Sequence, residues 1–362
     1  MSWLLAFLGF AVLIILHELG HFTAAKAVGM RVERFSLFFP PLLGRVRRGE
    51  TEYAIGSIPL GGYVKITGMN PAEEIPPEVA NRAYFRQPVW KRVVVIAAGP
   101  LVNIVLALAL FTAYLLIWGS PVSTPTNQVE SLAGDGAAAH VLQAGDRVVA
   151  VDGKRGGPEA LREQVSTHKC AGKPVDGCRA TTPAEVTIER GGRRMLVTIT
   201  PRYDADAKRP LLGFSYVVDR TFEPVGGVGD AVGTSLDYTW FITHTTVDRI
   251  AGIFQSEKRK DISGVVGSYE ATRKAITLST DRAVFLLAVI SLSLGVINLF
   301  PFLPLDGGHI FWALAEKVRG KAIPFSVMER AGFVGFALVI ALFMVGLTND
   351  IGRLTGEGIQ VR

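Results

Sequence analysis

The chain has 362 residues, of which 49% are apolar and 19% charged, and its mean hydropathy is +0.33. The apolar share and the hydropathy are both high for a wholly soluble protein, and the length leaves room for two or more domains. The net charge of +6 does not call for nucleic acid, because the basic residues cluster beside apolar runs, where anionic lipid and membrane topology account for them.

Four uncharged apolar runs cover 1–16, 93–118, 283–305 and 331–349. A helix crosses the hydrocarbon core with roughly 20 residues at about 1.5 Å each. The last three runs are long enough outright. The first is long enough if it continues through HELGH to Ala25. It lacks a basic leading segment and an A-x-A site, so it reads as a helix and not as a cleaved signal peptide. These runs predict transmembrane helices at 1–28, 92–119, 281–310 and 331–350.

The first helix raises a problem, because it carries His17, Glu18 and His21 at its deep end. Positions i and i+4 share one helical face, so the two imidazoles can hold one ion. This is the HExxH arrangement, two histidines on zinc and a glutamate as general base for the attacking water. Short patterns arise by chance in soluble chains, where lone histidines are core or surface residues. Polar groups deep in a spanning helix cost several kcal/mol and mark a functional site.

Residues 29–91 read as a membrane-associated β region followed by a connector. Eleven Lys and Arg residues lie from Lys26 to Arg92, nine of them within 29–91. A second basic cluster, Lys317, Arg319, Lys321 and Arg330, falls in a loop predicted at 311–330. The positive-inside rule puts both loops in the cytoplasm and both termini outside. Within 31–69, RVRRGETEYAIGSIPLGGYVKI reads as strands with a turn at Gly49-Glu50 and breaks at Pro59 and Gly61-Gly62. The stretch 44–66 is either a hairpin plugging the membrane face or an edge strand for an unwound substrate, with Gly61 and Gly62 facing that substrate. The second helix carries GPLVN, residues 99–103, which ends in Asn103.

Residues 120–220 read as an external α+β domain. AAAHVLQAGDRVVAVDGK is similar to a PDZ-type segment, PEALREQVSTH to a helix, and AEVTIERGGRRMLVTITP to a hairpin around Gly191-Gly192. Cys170 and Cys178 both fall in this stretch, where an oxidising exterior permits a disulfide; two free thiols are the alternative. His140 and His168 have no partners at ligand spacing. Residues 221–280 read as amphipathic helices on the outer membrane surface, with His244 as an interfacial polar residue and 261–275 as an element that could gate entry.

A hydrolytic zinc takes three protein ligands and keeps one position open. The third run ends in NLFPFLPLDGGH, with Asn298, Asp306 and His309. His17 lies about 21 Å into its helix and Asn298 about 23 Å into its own, so the depths match. Pro301 and Pro304 stop regular helix beyond Asn298. Gly307 and Gly308 then permit an unusual turn that folds Asp306 back towards the histidines. Asp306 is the expected third ligand, with His309 as the alternative. Residues 351–362 form a C-terminal tail.

On HELGH, GPLVN and NLFPFLPLDGGH, the chain resembles the site-2 proteases, intramembrane zinc metalloproteases, in the bacterial branch with a single PDZ domain. The resemblance implies an α-helical integral membrane protein of four transmembrane helices. A membrane-associated β-sheet would lie on the cytoplasmic side, with an α+β PDZ domain inserted outside. It implies Zn2+ on His17, His21 and Asp306, Glu18 as catalytic glutamate, and Asn298 holding the substrate backbone. Asn103 belongs to a family motif that is structural or substrate-facing. Implied partners are single-pass transmembrane substrates already cut outside by another protease, namely anti-sigma factors and signal-peptide remnants, together with membrane lipid. The PDZ domain would bind peptide or act as a steric filter. The implied location is the bacterial inner membrane, with the active site towards the cytoplasm. A zinc transporter or a catalytically silent receptor would compete; the first should show internal repeats, and the second would not need Glu18.

Overall fold

The computed structural model describes residues 1–70, 73–134, 136–252, 255 and 264–355. The chain divides into two compact units, one made of Met1–Gly119 with Pro224–Arg362 and the other of Ser120–Glu223.

The first unit is built on helices. α1 (Ser2–Ala27) and α2 (Val89–Trp118) are apolar almost throughout, as only helices buried in protein or lipid can be. Between them lie β1 (Val32–Arg48) and β2 (Thr51–Ile66). α4 (Val228–Ala251) and α5 (Val265–Leu278) precede α6 (Thr280–Asn298), α7 (Asp306–Arg319) and α8 (Phe325–Thr355). Four of these helices are long and apolar enough to cross a membrane: α1, α2, α6 and residues Ser326–Gly352 of α8. Their outward faces are apolar and exposed, with Leu5, Leu8 and Val12 on α1, Leu101 and Val105 on α2, and Phe333 and Val334 on α8. Surfaces of that size and character suit lipid.

α2 is the central strut. Ala107 and Phe111 pack against Ala288, Leu292 and Val296 of α6, and Gly295 lets α6 come close, since a Cβ there would stand 2.9 Å from Pro100 O. On its other side Val95 and Ile96 join Ala25, Met30, Val32 and Ile66 in a second core.

β1 and β2 meet at Gly49, which takes φ 61. Pairs from Gly44–Ile55 to Arg48–Thr51 form one antiparallel run and pairs from Val32–Ile66 to Leu37–Gly62 another. A third set, from Arg34–Glu52 to Leu37–Ile55, joins the two runs. β2 is one strand by its bounds, but the residues up to Ile55 run in the same sense as 34–37 and those from Gly62 on run in the opposite sense, so the chain reverses across Pro59 and Gly61-Gly62, where the break was expected. Pro59 falls between the pairs Phe39–Ile58 and Leu37–Gly62, where no ladder donor is required of it.

Two expectations need correction. The third spanning helix does not extend over 281–310, because α6 stops at Asn298 ahead of Pro301 and Pro304. Residues 311–330 are not simply a loop: α7 runs from Asp306 to Arg319, and α8 begins at Phe325, ahead of the expected 331. Glycine carries α7's start for a different reason than expected. Neither Gly307 nor Gly308 has positive φ. Both sit in the first helical turn, pressed against the 299–303 backbone; a Cβ on Gly308 would stand 2.5 Å from Leu303 N. α7 is fastened to α2 at its far end. Arg92 Nη1 and Nη2 donate to Glu316 Oε2 and Oε1 at 2.9 and 2.8 Å, and Arg92 is 3% exposed.

The expected amphipathic pair corresponds to α4 and α5. α4 buries Ala231 and Ser235, sets the Tyr238 ring against Phe111 and Phe285, and leaves Trp240 and Phe241 exposed. α5 begins under Asp350 of α8, whose carboxylate accepts from Gly264 and Gly267 N–H at 3.0 and 2.7 Å. Residues 261–263 of that element, and 356–362 of the tail, lie outside the described residues.

In the second unit, β3 (Ser120–Leu132), β4 (Arg147–Val151), β5 (Lys154–Arg155), β6 (Ala184–Arg190), β7 (Arg193–Ile199) and β10 (Phe214–Glu223) form one sheet, ordered β10-β3-β4-β6-β7 with β5 on β4. β8 (Arg202–Asp204) and β9 (Arg209–Leu211) pair separately. α3 (Pro158–Val165) turns Leu161 and Val165 into a core with Val129, Val148, Val186 and Ile188. Cys170 and Cys178 are bonded, with Cα atoms 6.2 Å apart. His168 has partners its spacing did not reveal: Nε2 lies 2.8 Å from Asp152 Oδ2, and Nδ1 is 3.0 Å from Thr182 O. These bonds tie the cystine loop to the sheet.

Candidate metal centre

α1 places His17 and His21 one turn apart on the face that meets α2. Both are buried, at 7% and 6% exposed. The helices meet closely because glycines face each other across the seam. A Cβ on Gly20 would stand 2.6 Å from Ala98 O, and a Cβ on Gly99 would run into the His21 ring. His21 Nδ1–H donates to Val95 O at 2.9 Å, so Nε2 presents its lone pair inward. Asn103 lies against His17, with Nδ2 3.3 Å from Nδ1.

Asp306 enters from the opposite side on the first turn of α7. Its Oδ2 is 3.2 Å from His17 Nε2 and 3.3 Å from His21 Nε2, and the two Nε2 atoms are 3.2 Å apart. Three lone-pair donors converging this closely repel one another unless a cation sits between them. The triangle suits zinc. In a tetrahedral complex the ligand–ligand edge is about 1.6 times the bond, so these edges give bonds of about 2.0 Å, the usual zinc–nitrogen and zinc–oxygen length. Among the described residues, His17, His21 and Asp306 form the one cluster of His, Cys, Asp or Glu arranged to hold a metal. His309, the alternative to Asp306, is outside it and lines a small cavity with Tyr84, Arg92, Trp312 and Glu316.

Glu18 points along a different direction, towards β2. A Cβ on Gly62 would stand 2.9 Å from Glu18 Cγ and 2.9 Å from Ser36 O. Gly62 therefore brings strand backbone against the glutamate with no side chain between. Gly61 is set against the Phe39 ring, where a Cβ would meet Cε2 at 2.7 Å. Asn298 is the last residue of α6, half-buried, with no hydrogen bond from its side chain among the described residues. Asn103, by contrast, is 0% exposed and turned to a histidine, which does not suit contact with a substrate. The residues that sequence reasoning missed are Gly20, Gly99, Val95 and Arg92. Both glycines stood inside quoted motifs. Val95 acts through its carbonyl, and Arg92 pairs with a residue 224 positions away, so neither left a local signal.

The chain matches the model of Peptidase family M50 over residues 5–342. It is 33% identical to the Zinc metalloprotease Rip1 of Mycolicibacterium smegmatis, over 96% of this chain and 93% of that one. A Rhizobium meliloti protein named "Putative zinc metalloprotease" is 30% identical, over 95% of this chain and 94% of the other. Among solved structures, the PDZ domain of an SdrC-like protein from Listeria monocytogenes is 21% identical, with a TM-score of 0.21, over 26% of this chain and 92% of that one. That last likeness carries no argument about the fold. The family match takes in both ends of the metal centre and everything between them, and on it the chain belongs to Peptidase family M50, the site-2 proteases, as a zinc metalloendopeptidase.

Proposed function

We propose that this protein cleaves single-pass transmembrane substrates at a zinc centre held by His17, His21 and Asp306, with Glu18 as general base. The observation that carries the reading is the meeting of three elements at one point. A buried donor triangle, a glutamate and a bare strand backbone at Gly62 come together between apolar helices. When bound, zinc polarises the scissile carbonyl and lowers the pKa of the attacking water towards about 7. Glu18 takes the proton from that water and passes it to the leaving amine. A transmembrane helix arrives with its carbonyls already bonded and must unwind to be cut. The run 62–66 pairs with 32–37, and its free edge supplies strand-type hydrogen bonds in place of those the substrate loses; in lipid, water cannot supply them. Gly62 keeps that edge free of a side chain, Gly61 makes room for the Phe39 ring beside it, and the amide of Asn298 holds the substrate backbone.

The basic residues of 29–91 and 311–330 put those segments in the cytoplasm and both termini outside, in the bacterial inner membrane, with the metal centre towards the cytoplasmic face. The unit Ser120–Glu223 is then external, where its cystine fits the redox environment. It acts as a PDZ-type filter, excluding substrates whose outer domains have not been shed by another protease. Anti-sigma factors and signal-peptide remnants are the substrate classes, in regulated intramembrane proteolysis.

The test compares wild type with Glu18→Gln, purified with zinc and supplied with a single-pass substrate. The variant keeps its zinc and loses cleavage. Equal cleavage by both proteins refutes the assignment.

A further inference from the structure

Resting on that zinc assignment, we infer that Asn103 is the positioning partner of His17, fixing the ring nitrogen that faces the metal, and that it does not contact substrate.

The two histidines need the same thing. An imidazole that offers Nε2 to a metal carries its hydrogen on Nδ1, and an acceptor behind Nδ1 sets both tautomer and ring angle. For His21 that acceptor is Val95 O, 2.9 Å away. Val95 and Asn103 stand on the same helix, two turns and a little more apart, as His17 and His21 stand one turn apart on α1. Asn103 is thus the corresponding group behind His17, with its amide 3.3 Å from Nδ1.

The orientation of the Asn103 amide also bears on its role. As placed, Nδ2 faces Nδ1, so two donors oppose each other once His17 holds metal through Nε2. Asn103 Oδ1 meanwhile is buried, with no hydrogen-bond partner among the described residues. Oxygen and nitrogen of a side-chain amide are interchangeable in placement, and the hydrogen-bond network decides between them. Half a turn of the amide brings Oδ1 onto His17 Nδ1–H and removes the opposed donors. The backbone of Asn103 is itself pinned, because Ser291 Oγ donates to Asn103 O at 2.9 Å. At 0% exposure the side chain has no route to a substrate.

The experiment measures zinc affinity of the full-length detergent-purified protein by chelator competition, and the visible spectrum of the cobalt-loaded form. Asn103→Leu, nearly isosteric and without an acceptor, weakens zinc binding about 10- to 100-fold and perturbs the cobalt spectrum. Asn103→Asp keeps an acceptor and holds zinc at least as tightly as wild type. Asn103→Leu with wild-type zinc affinity and a raised KM overturns the inference in favour of substrate contact. If Asn103→Leu does not fold, Asn103→Asp decides alone, and loss of zinc from it overturns the inference. His17→Ala is the control for the underlying assignment. Unchanged zinc affinity in that variant refutes the metal site itself, whereas loss there with retention in Asn103→Leu refutes only the role of Asn103.

Discussion

Gly99→Ala adds a single methyl group at the seam between α1 and α2, and its effect on the metal centre can be worked out. The new Cβ would stand 2.6 Å from His21 Cε1 and 2.8 Å from Cδ2, and closer still to Nε2. Carbon contacts settle at about 3.5–4.0 Å, so the ring retreats by roughly 1 Å. That retreat is about half of a zinc–nitrogen bond of roughly 2.0 Å, enough to take Nε2 out of coordination. The helix itself does not suffer, since alanine is a better helix former than glycine by about 1 kcal/mol. The loss is therefore confined to the metal centre. Zinc stoichiometry in purified protein falls, and cleavage of a single-pass substrate drops by a factor on the order of 100, the scale of a 1 Å misplacement at a reacting centre. Gly233→Ala on α4, where an added Cβ meets nothing within 4 Å, is the control and keeps full activity. A Gly99→Ala protein with a full complement of zinc and ordinary turnover would show that the seam yields, and the close-packing argument would be lost.

Arg92→Met leaves Glu316 without its partner and frees the far end of α7, costing roughly 2 kcal/mol or more of stability. The double variant Arg92→Met, Glu316→Met regains most of it, as thermal unfolding in detergent will report; no recovery in the double variant counts against the pair. The Glu50 carboxyl is held down at about 2 by Arg82 first and then Lys26. Its contribution to the β1–β2 turn is therefore complete above its ordinary 4.5 and fades as pH falls towards about 2. Acid-induced proteolytic nicking at Gly49–Glu50 checks this, and Glu50→Gln should remove that part of the pH dependence. Reducing Cys170–Cys178 opens a loop with a sequence separation of 8, worth about 2.5 kcal/mol on chain-entropy grounds. The unit Ser120–Glu223 unfolds at lower denaturant, while zinc content stays unchanged.

The parts of this molecule that could be read without coordinates are those whose physics is local. Apolar runs longer than a bilayer is thick announce spanning helices, and His17, Glu18 and His21 stand out because such a run has no other use for them. Asp306 and His309 could not be separated by spacing, since both follow the same proline-broken segment. The structure separates them: Asp306 opens α7 facing the histidines, and His309 turns towards Arg92. The glycines of DGGH looked like a turn because glycine permits one. They serve close approach, which depends on the 299–303 backbone folding over them. Asn103 next to His17 spans 86 positions and Arg92 with Glu316 spans 224. Contacts of that range leave no periodicity to detect.

α2 contributes no atom to the ion-binding triangle, yet every corner of it is referred to α2. His21 hangs from its Val95 carbonyl, His17 leans on its Asn103, and the helix bearing Asp306 is bolted to its Arg92. Any admission of substrate that pried α1 or α7 away from this rod would scatter the ligands and release the ion. On the proposed zinc site, the gap through which a substrate passes would open elsewhere, and α1, α2 and α7 would travel through the working cycle as a single block.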